Sequence, residues 1–191
     1  MLARTTQGLP SLGHVMRFVA AACLFLISLP PALADDAAGR PAAWTETGWP
    51  FLIDQWGLGN AYQCKATECG LDVALYLRAK VGFCNCTTGI AEDDEIDRVG
   101  DLGLLGWQSR ARALGAPVTV GWMKGRARAF VVEGRDRRER HALTVAVSNK
   151  CDAVVATVVA DQPISSDIER SAIEFLGSRP ILRWAAANTG L

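Results

Sequence analysis

Between Tyr62 and Cys86, four cysteines (Cys64, Cys69, Cys84 and Cys86) bracket one long run in which apolar and polar residues alternate. Val73, Leu75, Leu77, Ala79, Val81 and Phe83 fall at every second position, with Asp72, Tyr76, Arg78 and Lys80 among the residues between them. Successive side chains of an extended chain point to opposite faces. Period two therefore predicts a strand over Asp72–Phe83 with one covered face and one wetter face, as in antiparallel sheets. The expectation is a central strand whose two ends are pinned by sulfur.

Sulfur pins a fold only where thiols oxidise, and the start of the chain bears on that. Arg4 and Arg17 lie in an acid-free stretch around the apolar run Phe18–Leu29, which Pro30 and Pro31 end before Ala32-Leu33-Ala34. This is the order of a signal peptide, so residues 1–34 are read as a segment cleaved after Ala34, with an uncleaved anchor as the alternative. The run has twelve residues, whereas a spanning helix takes about 20. Cys23 lies inside the run and is poorly placed for lipid attachment. The protein is expected to be exported, to the periplasm or beyond, with no transmembrane segment after cleavage.

The whole chain carries 20 basic and 20 acidic residues, and losing the two leader arginines leaves a slight acidic excess. That argues against general nucleic-acid binding. Half of the 191 residues are apolar, which suits one globular domain. Residues 35–61 read as a polar leader followed by an irregular aromatic segment, in which Trp44, Trp49, Phe51 and Trp56 cap the core between Gly48, Pro50, Gly57 and Gly59. An exposed aromatic platform is the alternative. Residues 62–191 read as the domain proper.

Within it, Tyr62–Cys64 starts a strand and Lys65–Gly70 turns. Ala91–Leu105 reads as a helix, its acids Glu92–Asp97 favoured by the helix dipole and its end weakened by Gly100 and Gly103. Gly106–Gly115 reads as a loop or short helical turn. Pro117–Met123 and Arg126–Glu133 read as strands, and His141–Asn149 with Asp152–Ala160 as a hairpin. Val145, Val147, Val154, Val155, Val158 and Val159 make that hairpin the expected deep core. Ser166 and Glu169 give a capping-box pattern before a helix with Ile168, Ala172, Ile173, Phe175 and Leu176 on one face, and Ile181–Ala187 adds a short last helix. The sum is an α+β single domain: a mostly antiparallel sheet of five or six strands with helices packed on it.

Five cysteines follow the leader: Cys64, Cys69, Cys84, Cys86 and Cys151. Disulfides are the default in an oxidising compartment, and an odd number leaves one thiol over. Cys64 and Cys69 flank a short turn. Cys84 and Cys86 share a face in extended chain and do not easily bond each other, and one of them can reach Cys151 at the hairpin tip. The expected pairs are Cys64–Cys69, and Cys84 or Cys86 with Cys151.

The same residues carry the rival chemistries. Cys64, Cys69, Cys84 and Cys86 could offer four thiolates to Zn²⁺ or Cu(I), although Cys-x-Cys departs from the usual zinc spacing. Cys84-Asn85-Cys86 could cycle in thiol redox chemistry, but no Cys-x-x-Cys is present. Hydrolase motifs are missing, and His141 is the lone imidazole after the leader. The acids at 92–97 fail EF-hand spacing. Lys124, Arg126 and Arg128 alternate along a strand, and Arg135, Arg137, Arg138 and Arg140 follow. They form either a charged strand edge or a patch for acidic lipid, a polyanion or an acidic partner.

The strand, strand, helix ending resembles the PsbP-like α/β/α sandwich over roughly the last half of the chain. Gly82-Phe83-Cys84-Asn85-Cys86 with Trp122-Met123-Lys124-Gly125-Arg126 resembles a family of small exported bacterial proteins with no assigned activity. That resemblance would span most of the mature chain and implies no catalytic residues. The expected function is an exported, disulfide-supported protein that binds an envelope protein or small ligand, without cofactor or catalysis. The alternative is a thiol-redox or Zn/Cu-handling protein built on the cysteines.

Overall fold

The structure, a computed structural model, describes residues 44–190. The predicted signal peptide and the start of the predicted leader lie outside the described residues.

The alternating run forms β3, Val73–Lys80, shorter than its pattern because Val81 and Gly82 turn the chain away, with Gly82 at φ +68°. On one side β3 pairs with β2 (Asn60–Cys64), and β2 pairs with β1 (Thr45–Thr47). On the other side β3 pairs with β8, Asp152–Ala160. The sheet continues through β7 (Glu139–Asn149) to β6 (Met123–Gly134). The long β6 has two partners end to end along one edge: β5 (Ala116–Val120) on its first half and β4 (Gly106–Ala111) on its second. Every pairing is antiparallel.

Among the described residues the sheet thus has eight strands, which corrects the expected five or six. The additions are β1 and β4. A three-residue strand is too short to show alternation. In β4 every side chain after Gly106 is exposed, so backbone pairing to β6 forms a strand that burial never wrote into the sequence.

The helices differ in extent. A helical turn, α1 (Ala66–Cys69), occupies the predicted turn. The expected helix over Ala91–Leu105 is α2, Asp93–Val99, followed by a 3₁₀ turn at Leu102–Leu104. Gly100 separates them with an extended ψ of 145°. α3 (Ser166–Leu176) starts one residue earlier than the capping pattern implied: Ser165 is the cap, its hydroxyl accepting from the Ile168 amide at 3.3 Å. α4 spans Arg179–Asn188, with Pro180 in its first turn, where a missing N–H costs nothing.

α3 and α4 cover one face of the sheet. Ile168, Ala172, Leu176, Ile181 and Ala185 pack on Leu75, Leu77, Val145, Val147, Val154 and Val158. Trp44 closes an edge of this layer, stacking on Phe175 at 5.5 Å and donating to Ser171 Oγ at 3.2 Å. All six hairpin valines are buried. Fully burying one such side chain is worth about 1.5–3 kcal/mol.

The opposite face was expected to be wetter, and the structure corrects this. Ile96 and Val99 of α2 sit on Ala146, Ala153 and Val155. Leu102 and Leu105 pack on Phe130, Val132, Ala142 and Val159. Arg78 and Lys80, on the predicted wet side of β3, are only 1% and 4% exposed. The α+β domain is therefore covered on both sides of its sheet.

Candidate functional site

The sulfur chemistry is laid out by β3 and by the β7–β8 turn. Cys64 and Cys69, at the end of β2 and the end of α1, form a disulfide with Cα atoms 6.0 Å apart. Cys86 is bonded to Cys151, at 4.1 Å between Cα atoms, and ties the loop after β3 to the hairpin tip. Further bonds hold the same loop: Gly82 N donates to Asp152 Oδ1 at 2.7 Å, and Asn85 Oδ1 accepts from Thr87 N at 2.9 Å. Among the described residues Cys84 is the free thiol, and it is buried. Its amide donates to Cys151 O at 3.1 Å, and its Sγ lies 3.4 Å from Lys150 O. Burial, with Asp152 and Glu95 nearby, pushes the Cys84 thiol up. Beside it opens a groove of about 600 Å³ lined by Phe83, Asn85, Asp94, Glu95 and Arg98.

These bonds count against the four-thiolate alternative. Cys64, Cys69 and Cys86 are all oxidised, which leaves Cys84 alone of that set. Among the described residues no group of three or more His, Cys, Asp or Glu side chains is placed to hold a metal ion. His141 begins the end of β7 remote from the Lys150–Cys151 turn, roughly 30 Å along the strand at about 3.3 Å per residue. A Cys–His nucleophile pair is not assembled.

The basic run is also placed differently from a free patch. Arg126 and Arg128 of β6 point to the α2 side of the sheet, and α2 meets them with its acids. Arg126 Nε donates to Asp93 Oδ1 at 2.8 Å, and Arg128 Nη1 to Asp97 Oδ2 at 2.7 Å. The Gly115 amide bonds both Asp93 oxygens, at 3.1 and 3.0 Å. That amide first, with Arg126 against some loss of hydration, holds the Asp93 carboxyl below the usual carboxylate range. At the other edge of α2, Asp101 lies 3.3 Å from Arg78 Nε and 2.9 Å from Lys80 Nζ. The acidic run is therefore half capping, through the reciprocal Glu92–Glu95 box, and half ion pairing to the sheet. Lys124 stays exposed at the start of β6. Arg137 and Arg138 are exposed in the β6–β7 turn, where Arg137 has φ +61°. Arg135 leans on the Trp107 ring at 5.5 Å.

Sequence reasoning missed one surface. Phe51 packs edge-on to Tyr76 at 4.8 Å, and Asp54 makes a forked pair with Arg78, at 2.8 Å to Nη2. Between these two anchors Leu52 and Ile53 are held outward, 89% and 70% exposed. They border a groove of about 500 Å³ that also takes in Leu104, Arg135 and Arg140. Trp107, 76% exposed, joins it through Arg135. The one signal for this surface was an aliphatic pair, Leu52-Ile53, in a Gly- and Pro-punctuated segment, and local pattern does not tell exposed from buried there.

Fold and site together define a disulfide-bonded α+β domain that presents a fixed apolar ridge with arginines at its rim. No family model matches the chain, and no curated protein matches it either.

Proposed function

We propose that this is an exported, disulfide-braced protein of the cell envelope that docks on an anionic lipid surface and carries out no reaction of its own. The observation that carries the reading is the Leu52-Ile53 ridge, which the Phe51–Tyr76 and Asp54–Arg78 contacts fix in an exposed position. Aliphatic side chains on a fixed loop enter the acyl boundary, an adjacent Trp suits the interfacial zone, and arginines meet lipid phosphates. Trp107 and Arg135 stand beside the ridge, with Arg137 and Arg138 exposed in the same turn. Asp54 is neutralised by Arg78, and Asp136 by Arg140 at 3.3 Å, so the rim keeps a cationic balance. Export is supported by the signal-like order around Phe18–Leu29 and by the two disulfides.

The test uses the chain as recovered from the envelope fraction. It should start at Asp35 and float with vesicles containing phosphatidylglycerol. It should float far less with phosphatidylcholine alone or at high salt. The double variant Leu52→Asp, Ile53→Asp should lose flotation and keep its thermal midpoint. Flotation unchanged in that variant overturns the docking surface. No flotation at all, with capture by a purified acidic envelope protein instead, overturns the lipid assignment. Recovery with Cys64, Cys69, Cys86 and Cys151 reduced overturns export.

A further inference from the structure

We infer that Cys84, Cys86 and Cys151 form a thiol–disulfide exchange site that captures a disulfide-bearing partner at Cys86. The inference is independent of lipid docking and rests on the placement of three sulfurs around one turn. Cys151 lies at the tip of the β7–β8 hairpin and is bonded to Cys86. Cys84 borders the same tip twice, through its amide on Cys151 O at 3.1 Å and its Sγ near Lys150 O at 3.4 Å. That amide bond sets the Cys84 backbone directly against the backbone of Cys151. Cys151 thus has two cysteines beside it, and its sulfur holds one of them, Cys86.

The two differ in access. Cys84 is 9% exposed, whereas Cys86 is exposed. Cys86 is the more open of the two to a partner in solution, although Cys84 lines the floor of the adjoining groove. In the first step the Cys84 thiolate attacks Cys151 Sγ. The Cys84–Cys151 bond forms, the Cys86–Cys151 bond breaks, and Cys86 leaves as a thiolate that takes up the proton Cys84 gave up. Nothing is oxidised or reduced overall. In the second step the Cys86 thiolate attacks a partner disulfide: one mixed disulfide forms, and one partner thiolate leaves and is protonated. The partner supplies the oxidising equivalent.

The setting also shapes rate and preference. The attacking species is the thiolate, and burial holds Cys84 largely protonated, so exchange is slow near neutrality and quickens as pH rises. Asn85, between the two cysteines, lines a groove that Cys86 itself stays outside; there Asp94 and Glu95 outnumber Arg98, and Phe83 supplies an apolar wall. A small disulfide bearing amines is favoured there over an anionic one.

The probe is cystamine, with oxidised glutathione as the anionic comparison. Each is incubated with the chain at mildly alkaline pH, quenched in acid and mapped by non-reducing peptide mass. Expected are a half-cystamine adduct on Cys86, a new Cys84–Cys151 disulfide, slower labelling by oxidised glutathione, and loss of the adduct in Cys84→Ser. An adduct on Cys84, or none anywhere, overturns the site. If Cys84→Ser does not fold, Cys86→Ser decides: it should contain Cys84–Cys151 and no titratable thiol, and two free thiols overturn the site.

Discussion

Arg126 and Asp93 meet across the gap between sheet and helix, with Nε 2.8 Å from Oδ1 and both side chains more than four-fifths buried. The pair fixes one edge of a helix of seven residues, too short to hold itself together in water. Asp93 has its carboxyl held below the unfolded value of about 3.9 by the Gly115 amide and Arg126. A depressed carboxyl contributes stability that is complete above the unfolded value and lost as pH falls through the folded one. Asp93→Asn should lower the urea midpoint at pH 7 and flatten its fall below about pH 4. Equal acid slopes in the two proteins would disprove the pairing's role.

Asp101 answers two buried cations at once; Arg78 keeps Asp54 when Asp101 is removed, but Lys80 is left without a counter-charge. Asp101→Asn should destabilise by about 3–5 kcal/mol, because an uncompensated charge then remains in the interior. Replacing Lys80 and Asp101 together with Met and Leu should cost less than the single change. Chemical denaturation of the three proteins measures this directly.

Ile96 is fully buried and carries much of the contact between α2 and the sheet. Ile96→Ala should cost about 2–5 kcal/mol. The loss should speed amide exchange first around α2 and Gly115, ahead of the α3–α4 layer.

The two disulfides should differ in weight. Cys86–Cys151 closes a separation of 65 residues and Cys64–Cys69 one of five. Loop-closure entropy then assigns about 4 kcal/mol to the first and about 2 kcal/mol to the second. Cys151→Ser should show the larger loss in thermal scans. Cys86→Ser should lose less than Cys151→Ser, because Cys84 can take its place.

Much of the sheet was legible because burial had written period two into β3 and β-branched runs into β7 and β8. β1 and β4 were not, since neither burial nor length marks them. Arg78 and Lys80 read as wet because alternation separates two faces and is silent about what covers the second. Their partner, Asp101, lies more than twenty positions away, as does Asp54. The acids at 92–97 and the arginines at 126 and 128 were weighed separately, one as a solvated helix start and the other as a charged strand edge or a patch. They complete each other across about thirty residues. Leu52 and Ile53 escaped because exposure is a tertiary outcome there, set by Phe51 and Asp54 on either side. For the cysteines, spacing narrowed the partners of Cys151 to two, and only the packing of the hairpin tip separates Cys86 from Cys84.

The position of β8 has a temporal consequence. β3 lies against β2, its near neighbour in sequence, but its inner edge waits for Asp152–Ala160, more than seventy positions further on. A nascent or threading polypeptide therefore has half a sheet with an open flank until the last strand arrives. Oxidation inherits that order: Cys64 and Cys69 can join while the chain is still emerging, and Cys86 must remain a thiol until Cys151 appears beside it.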